Sequence, residues 1–238
     1  MKVFISPSDQ YRNTYADGVH NEANVCHEIA KVVERHLENN GIHTLQYDFS
    51  MYDRVRKSNE WGADLHLCIH TNAFNGKVQG TRAFCNSLDK STEGYKAIKA
   101  IFDEVNAITP GKSSNIKARP GLYEVRCTKA PCAYLEVEFH DNLDSAAWIV
   151  SHIEEIGKAI AKGICKYACV TFIDEDEGAE AERKNIVVRQ ALLYKAGTLS
   201  FNDIDGIDGP KTRAAFEALS TVVRLLIERI ENLLKGMS

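Results

Sequence analysis

Short apolar runs alternate with amphipathic helical stretches over the first 170 residues, and this alternation limits the fold more than any other feature. The strand-like runs are residues 3–5, "IHTLQYD", "DLHLCIHTN", "GTRAFC", "LYEVRC" and "CAYLEVEFH". The helical stretches are residues 22–40, "YDRVRKSNEWG", "STEGYKAIKAIFDEVNAI" and the long "LDSAAWIVSHIEEIGKAIAKGICKYA". Strands that alternate with helices usually pair in parallel and are covered on both faces. The sequence therefore predicts an α/β fold, with a twisted, mostly parallel sheet flanked by helices.

The character of the sequence changes after Val170. The stretch "TFIDEDEGAEAERKN" is acidic and poor in apolar residues, which is typical of a linker or an exposed hinge. Helical spacing resumes around "DIDGIDGPKTRAAFEAL" and again near residues 220–235. We therefore predict a main α/β domain over residues 1–171, an acidic linker over 172–183, and a small all-helical module over 184–238.

Composition excludes several classes of protein. The formal net charge of the 238-residue chain is −4, which argues against a nucleic-acid partner. No window approaches the roughly 18 apolar residues of a membrane-spanning helix.

The N-terminal "MKVFISPSDQYRN" lacks the apolar region of about 7–15 residues found in signal peptides, so we expect synthesis in the cytoplasm without a signal peptide. Seven cysteines include no C-x-x-C pair, so we expect reduced, structural thiols.

Side chains able to do chemistry fall at the ends of predicted strands or at the start of a helix. His70 ends the alternating strand in "DLHLCIHTNAFNG", and Glu22 opens the first long helix. Glu136, Glu138 and His140 follow at i, i+2 spacing, which puts all three on one strand face. Ligands of open α/β sheets bind at this edge, and one imidazole with carboxylates is a donor set for catalytic zinc. A histidine that is simply packed in the core fits the same pattern, so both readings stay open on these residues alone.

Five segments carry a resemblance to a known family: "VFISPSDQ", "ADGVHNEANVCHEIAKVVERHLENNGI", "SNEWGADLHLCIHTNAFNG", "GTRAF" and "YLEVEFHDN". From about Lys2 to Val170, the chain resembles the zinc-dependent N-acetylmuramoyl-L-alanine amidases of the amidase-3 family, found in bacterial wall remodelling and phage endolysins. The resemblance implies metal ligands at Glu22 and His70. It also implies a substrate-binding Asn72 in the motif H-x-N-A, and a catalytic Glu136 in the motif E-x-G-F-x-x-N.

The first zinc ligand departs from the family pattern. The family's histidine ends the first strand within D-P-G-H, whereas this chain has "SPSD", with Asp9 at the histidine's place. His20, two residues before Glu22, is the other candidate. We assign the third metal position to His20, because imidazole suits zinc better, while Asp9 and an ordinary loop position for His20 stay open. A second departure is Glu138, which replaces the family's glycine.

The C-terminal stretch has a resemblance of its own. "IDGIDGPKTRAAFEAL" is similar to the second half of the small three-helix peptidoglycan-binding domain, whose motif is D-G-x-x-G-x-x-T-x-x-A. The matching positions are Asp205, Gly206, Gly209, Thr212 and Ala215. An EF-hand is excluded, because the acidic residues do not fall at its ligand positions. A helical tail that forms a dimer through the C-terminal helices is the alternative.

The resemblances imply an enzyme that uses Zn²⁺ to hydrolyse the amide bond between N-acetylmuramic acid and L-alanine in peptidoglycan. Such an enzyme acts at the bacterial cell wall, and without a signal peptide it would reach the wall through a holin, lysis or another route, as phage and prophage enzymes do. Two alternatives remain on the sequence. One is a wall-binding protein that kept the fold and lost zinc with its first histidine, and the other is a zinc peptidase acting on stem peptides.

Overall fold

The computed structural model describes residues 1–47, 49–174, 186, 188–195, 197–200, 210–217, 227–230 and 232. The chain divides into two compact units, Met1–Ile173 and Asp174–Ser238. Among the described residues, no helix is both long and apolar enough to cross a membrane.

The first unit alternates strands and helices in chain order. Its elements are β1 (Lys2–Pro7), α1 (Glu22–Asn39), β2 (His43–Gln46), α2 (Met51–Trp61), β3 (Leu65–Asn72), β4 (Arg82–Cys85), α3 (Glu93–Ile108), β5 (Asn115–Ala118), α4 (Tyr123–Cys127), β6 (Cys132–Phe139), α5 (Leu143–Ser151) and α6 (Ile153–Tyr167).

The six strands form one sheet in the order β2-β1-β3-β6-β4-β5. All neighbouring pairs are parallel except β4 and β6, which are antiparallel. In the central pair, His70 of β3 lies opposite Glu136 of β6, and the register shifts between His70 and Asn72. The predicted α/β fold, with a mostly parallel sheet flanked by helices, is confirmed.

The two faces of the sheet differ in chemistry because successive side chains of a strand point to opposite sides. Alternate residues such as Ile5, Leu67 and Leu135 join a large apolar core with α1, α3 and α6. The intervening residues of β1 and β3 include Ser6 and His66, which are buried and polar, on the face covered by α2 and α4. The site described below lies on this second face.

Local signals in the sequence place several helix ends where they were predicted. The Asn21 side chain caps α1 by accepting from Asn24 N at 3.0 Å, and Thr92 caps α3. Gly62, with φ 68°, ends α2 in the left-handed conformation that favours glycine.

Two predicted elements differ from the structure, and one strand was not predicted. "LYEVRC" was predicted as a strand and forms helix α4, in which Val125 packs against the apolar side chains of Cys132 and Tyr134. Tertiary packing thus outweighs the strand preference of aromatic and β-branched residues. The edge strand β5 was not predicted, because its four residues, two half-buried and two exposed, carry little apolar pattern. The long helix after Leu143 is two helices, since the backbone leaves the helical region at His152, with φ −124°.

The second unit has a small apolar cluster of its own. Its described helix α7 (Pro210–Glu217) supplies Ala215, which packs with Leu193 and Ile227. Gln190 Nε2 donates to Oγ1 of Thr212 at 3.0 Å. The predicted motif residues Asp205, Gly206 and Gly209, and most of the acidic linker, lie outside the described residues.

Candidate active site

Glu22 and His70 meet at the carboxyl edge of the parallel strands. Glu22 is the first residue of α1, and His70 comes near the end of β3. Both are buried, and His70 Nδ1 lies 2.8 Å from Glu22 Oε1. Burial by itself would raise the pKa of Glu22, but hydrogen bonds from His70 and Asn13 outweigh it and lower the pKa. Burial would likewise lower the pKa of His70, yet the contact with Glu22 and the charge of Glu136 raise it.

Two amide side chains complete the surroundings of this pair, and the sequence analysis did not single them out. Asn13 Nδ2 donates to Glu22 Oε2 at 2.7 Å and to Gln10 Oε1 at 2.8 Å. Gln10 Nε2 lies 3.4 Å from His70 Nδ1. The only feature of the sequence that pointed to Gln10 and Asn13 as neighbours of the site was their position in the polar loop directly after the first strand. These amides occupy the neighbourhood where the family's first histidine is expected.

Glu136 lies beside the Glu22–His70 pair, as the cross-strand neighbour of His70. Its Oε2 atom is buried and has no hydrogen-bond partner. Burial raises the pKa of Glu136 to about 7, with the charge of Glu22 adding to the shift and that of His70 opposing it. A carboxyl group that titrates near neutral pH can both accept and return a proton under ordinary conditions.

The two candidates for the third ligand are both engaged elsewhere. His20 Nδ1 lies 2.6 Å from Asp17 Oδ2, and the His20 side chain is 41% exposed. Asp9 is 44% exposed, and its Oδ2 lies 3.2 Å from the guanidinium of Arg54. The structure therefore brings Glu22 and His70 together directly, whereas His20 contacts Asp17 on its own loop and Asp9 contacts Arg54 of α2.

Asn72 stabilises the turn that follows β3. Its Oδ1 accepts from Ala73 N at 2.8 Å, and its carbonyl oxygen accepts from His140 N at 2.7 Å. His140 Nδ1 lies 2.9 Å from Oγ1 of Thr71, which in turn lies 3.1 Å from the hydroxyl of Tyr15. Asn72 and His140 thus hold the backbone around His70.

Glu138 does not join Glu136 and His140 in one cluster, contrary to the i, i+2 expectation. Its carboxylate accepts from Gly80 N at 2.7 Å, from Gly111 N at 3.0 Å and from Ser145 Oγ at 3.2 Å. A Cβ at Gly111 would collide with Gly80 N and with the carboxylate itself, so glycine is required there. Backbone amides and a hydroxyl therefore compensate for the burial of this charge.

A second polar cluster lies further back along β3, and the sequence analysis missed it. In the part of the chain that the structure describes, one group of His, Cys, Asp or Glu side chains has three ligand atoms within 4.8 Å of one another: His66, Cys68 and Glu124. The spacing of His66, Cys68 and His70 on one strand face was a signal for it. Glu124 could not be placed, because its segment was predicted as a strand.

A cavity of about 390 Å³ opens beside the site. Its wall includes His70 and Glu124, together with the side chains of Arg54, Tyr123 and Tyr134. The Tyr134 ring stacks on His70, with ring centroids 4.6 Å apart. The cavity gives a substrate a route to the imidazole, along a wall of aromatic and polar groups.

Comparison with known proteins identifies the family. Residues 8–166 match the family model described as N-acetylmuramoyl-L-alanine amidase. The chain is also 29% identical, over 117 residues, to the germination-specific N-acetylmuramoyl-L-alanine amidase of Bacillus subtilis (strain 168). That match covers 48% of this chain and 48% of the relative, so the chain spans about half the length of this curated relative.

Solved structures show the same fold. The catalytic domain of CwlV, an N-acetylmuramoyl-L-alanine amidase from Bacillus (Paenibacillus) polymyxa var. colistinus, superposes with a TM-score of 0.62 at 18% identity, covering 72% of this chain and all of that one. The catalytic domain of the CD27L endolysin, which targets Clostridia difficile, gives a TM-score of 0.58 at 20% identity, covering 70% of this chain and 97% of that one. The family match over most of the first unit, together with this shared fold, means that the chain belongs to the N-acetylmuramoyl-L-alanine amidase family.

Proposed function

We propose that this protein hydrolyses the amide bond between N-acetylmuramic acid and L-alanine in bacterial peptidoglycan, with Zn²⁺ as cofactor. The observation that carries the proposal is Glu136 Oε2, a buried oxygen with no partner beside the buried Glu22–His70 pair. An imidazole and a carboxylate are donors that zinc prefers, and an adjacent free carboxylate is the base that amide hydrolysis needs. The family membership supports the same reaction.

Glu22 and His70 would hold the metal, with His20 as the third ligand. The Nδ1 contact between His20 and Asp17 leaves Nε2 as the nitrogen for a metal. In the metal-free chain the ligand atoms of His20, Glu22 and His70 do not all lie within 4.8 Å of one another, so metal binding would draw the His20 loop inward. The alternative, Asp9, would first have to leave the guanidinium of Arg54. Zinc content after dialysis separates the two, since we expect His20→Ala to lose zinc and Asp9→Ala to keep it. His43→Ala, an exposed histidine of β2, is the control for losses unrelated to the site.

The chain's own residues would carry the proton. Zinc, when bound, makes a water acidic enough to ionise near neutral pH and polarises the amide carbonyl. Glu136 would accept the proton of the attacking water at Oε2 and return it to the nitrogen of the leaving L-alanine. Burial raises the pKa of Glu136 to about 7 in the metal-free chain, and a bound zinc ion would lower it towards the ionised form that accepts a proton. Asn72 would contact the substrate at the mouth of the site.

The deciding experiment is mass analysis of a purified muramyl-peptide after incubation with the full chain and added zinc. We expect the intact compound to disappear, with the sugar and an L-alanine-ended peptide formed in equal amounts. Glu136→Gln should lower the rate by about 10²–10⁴-fold. Glu93→Gln, an exposed carboxylate of α3, should leave it unchanged.

Two results would contradict the proposal. An intact substrate with folded, zinc-loaded protein would indicate a wall-binding protein without activity, for which the replacement of the first histidine by Asp9 is the reason. Cleavage of a free stem peptide that carries no sugar would indicate a peptidase instead.

A further inference from the structure

A second set of metal-type ligands lies on β3 behind His70, and we call it the inner cluster: His66, Cys68 and Glu124. The exposed fractions of the three residues are 0%, 0% and 3%. Buried strands of parallel sheets are normally apolar, and burying an imidazole and a carboxylate costs free energy unless they are compensated. The inner cluster therefore needs a physical reason for its composition.

Hydrogen-bonding contacts at both ring nitrogens fix the orientation of His66. His66 Nδ1 lies 3.0 Å from Ser58 Oγ, and His66 Nε2 lies 3.2 Å from Glu124 Oε1. Ser6 Oγ donates to the same Glu124 oxygen at 2.5 Å. Histidines that bind metals are commonly held in this way, with one nitrogen on an outer partner and the other directed at the ion. The ring of Phe4 stacks on His66 at 5.2 Å and limits its rotation further.

Cys68 gives the inner cluster a sulfur donor. It follows His66 by two residues on the same strand, so both side chains project from one face of the sheet. Its Sγ contacts Cys132 Sγ at 3.8 Å, which is a weak sulfur contact that a stronger bond can replace. A hydrogen-bond network of His66, Glu124 and serine hydroxyls has no use for the Cys68 thiol. A thiophilic metal ion would use it as a ligand, because zinc and its analogues bind thiolate, imidazole and carboxylate together.

The inner cluster also has a route for an ion. Glu124 lies on the wall of the 390 Å³ cavity that reaches His70. Two guanidinium nitrogens of Arg54, on the same wall, are held by Pro7 O and by Asp9 Oδ2. Glu124 is the member of the inner cluster that lines this cavity, and the charge of Arg54 also acts on its carboxylate.

We propose that the inner cluster binds a divalent metal ion of the zinc class, through His66 Nε2, the thiolate of Cys68 and a carboxylate oxygen of Glu124. On binding, Cys68 releases its thiol proton to solvent. His66 Nε2, which donates to the Glu124 carboxylate in the metal-free chain, gives up its proton, and in the metal-bound state the ring carries its single proton on Nδ1, facing Ser58 Oγ. This site is distinct from the Glu22–His70 pair and does not rest on the proposed function.

Cobalt(II) is the probe, because a cobalt–thiolate bond gives a charge-transfer absorption in the near ultraviolet that nitrogen and oxygen ligands do not. The full chain, freed of metal with a chelator under reducing conditions, is titrated with Co²⁺. We expect this absorption to saturate in the parent protein and to be absent in Cys68→Ser. Cys165→Ser, which removes a buried thiol of α6, and Glu22→Gln should both keep it. Glu124→Gln should weaken Co²⁺ binding by about tenfold or more.

Each other result overturns the proposal. Folded parent protein without the absorption lacks a thiolate site. Absorption that persists in Cys68→Ser arises from another thiol, and absorption lost in folded Glu22→Gln arises from the other site. If Cys68→Ser does not fold by circular dichroism, the Glu124→Gln titration decides, and an unchanged affinity for Co²⁺ contradicts the inner cluster.

Discussion

At the scale of single residues, Glu136 combines a chemical advantage with a cost to the fold. Burial raises its pKa to about 7, which suits proton transfer near neutral pH. The same burial means that the folded chain accommodates the ionised carboxylate less well than water does, and Oε2 has no partner that would compensate. The proposed proton-transfer role of Glu136 and the stability of the fold therefore make opposite demands on this side chain.

The first prediction concerns the stability of metal-free Glu136→Gln. Below about pH 4.5 the carboxyl group is protonated in both the folded and the unfolded chain, so its ionisation does not change the free energy of unfolding there. As the pH rises towards 7, the unfolded chain ionises first and the parent protein loses stability. The variant should therefore be more stable than the parent by roughly 3 kcal/mol at pH 8. The difference should shrink towards pH 4.5 in denaturant unfolding with a chelator present.

The matched control is Glu93→Gln, because Glu93 is exposed and its pKa is lowered by a hydrogen bond from Lys96. It should show no stabilisation at pH 8. Equal stability of Glu136→Gln and the parent across the whole pH range would contradict the argument, since the carboxylate would then ionise in the folded chain without cost.

Residue positions at the ends of regular elements were predictable, and loop contacts were not. Glu22 and His70 are 48 positions apart, yet each lies at an element end at the carboxyl edge of a parallel sheet, so their meeting follows from the topology. Gln10 and Asn13 lie in a loop without periodicity, and nothing in the sequence fixes which way their amides point. Two of the partners of Glu138 are the backbone amides of Gly80 and Gly111, which leave no trace in the side-chain pattern.

At the scale of elements, helix α6 approaches α1 and α3 closely because two of its glycines lack a side chain. A Cβ at Gly163 would collide with the backbone of Ile101 and lie 2.8 Å from Ala100 O in α3. A Cβ at Gly157 would instead meet the side chain of Val32 in α1. Backbone cannot rotate aside as a side chain can, so Gly163 is the stricter requirement.

The second prediction is that Gly163→Ala lowers the free energy of unfolding by about 2 kcal/mol, because α3 and α6 must separate. This loss exceeds the gain in helix propensity that alanine brings to a helix interior. Gly121→Ala is the control, since a Cβ there meets nothing within 4 Å. Urea unfolding of both variants measures the difference, and an unchanged midpoint for Gly163→Ala would show that the two helices can separate without loss.

Elements were predictable in proportion to the length of their pattern. Helices α1 and α3 have many turns of apolar spacing and capping side chains at their starts, so type and position followed from the sequence. Helix α4 has five residues, which is too few for a helical period to outweigh the strand-like composition of Tyr123 and Val125. Which strand runs against the others was not predictable either, because β4 carries no signal of its direction.

At the scale of the whole molecule, the chain consists of two units with separate apolar cores. The core of the first unit is formed by its own residues, and the small cluster around Leu193 belongs to the second. Near the boundary, Ile173 exchanges two hydrogen bonds with the side chain of Asn40. Wall binding or dimer formation by the second unit stays a prediction of the sequence.

The third prediction is that a chain ending after Ile173 folds alone and cleaves a soluble muramyl-peptide at a rate within about twofold of the parent. Its core is intact, and the site residues all lie before that point. If the second unit binds the wall, the shortened chain should lose cosedimentation with purified cell walls. Retained cosedimentation would assign wall binding to the first unit, and an unfolded product would contradict the separation of the cores.

The hydrogen bonds of the Glu138 carboxylate have a consequence for local opening of the chain in solution. The carboxylate accepts hydrogen bonds from the loop before β4, at Gly80, and from the loop after α3, at Gly111. Neither amide can meet solvent while the carboxylate holds it, and withdrawing the carboxylate releases both together. We therefore expect the two loops, about 30 residues apart, to open together, so that the amide protons of Gly80 and Gly111 exchange with solvent deuterium at the same rate.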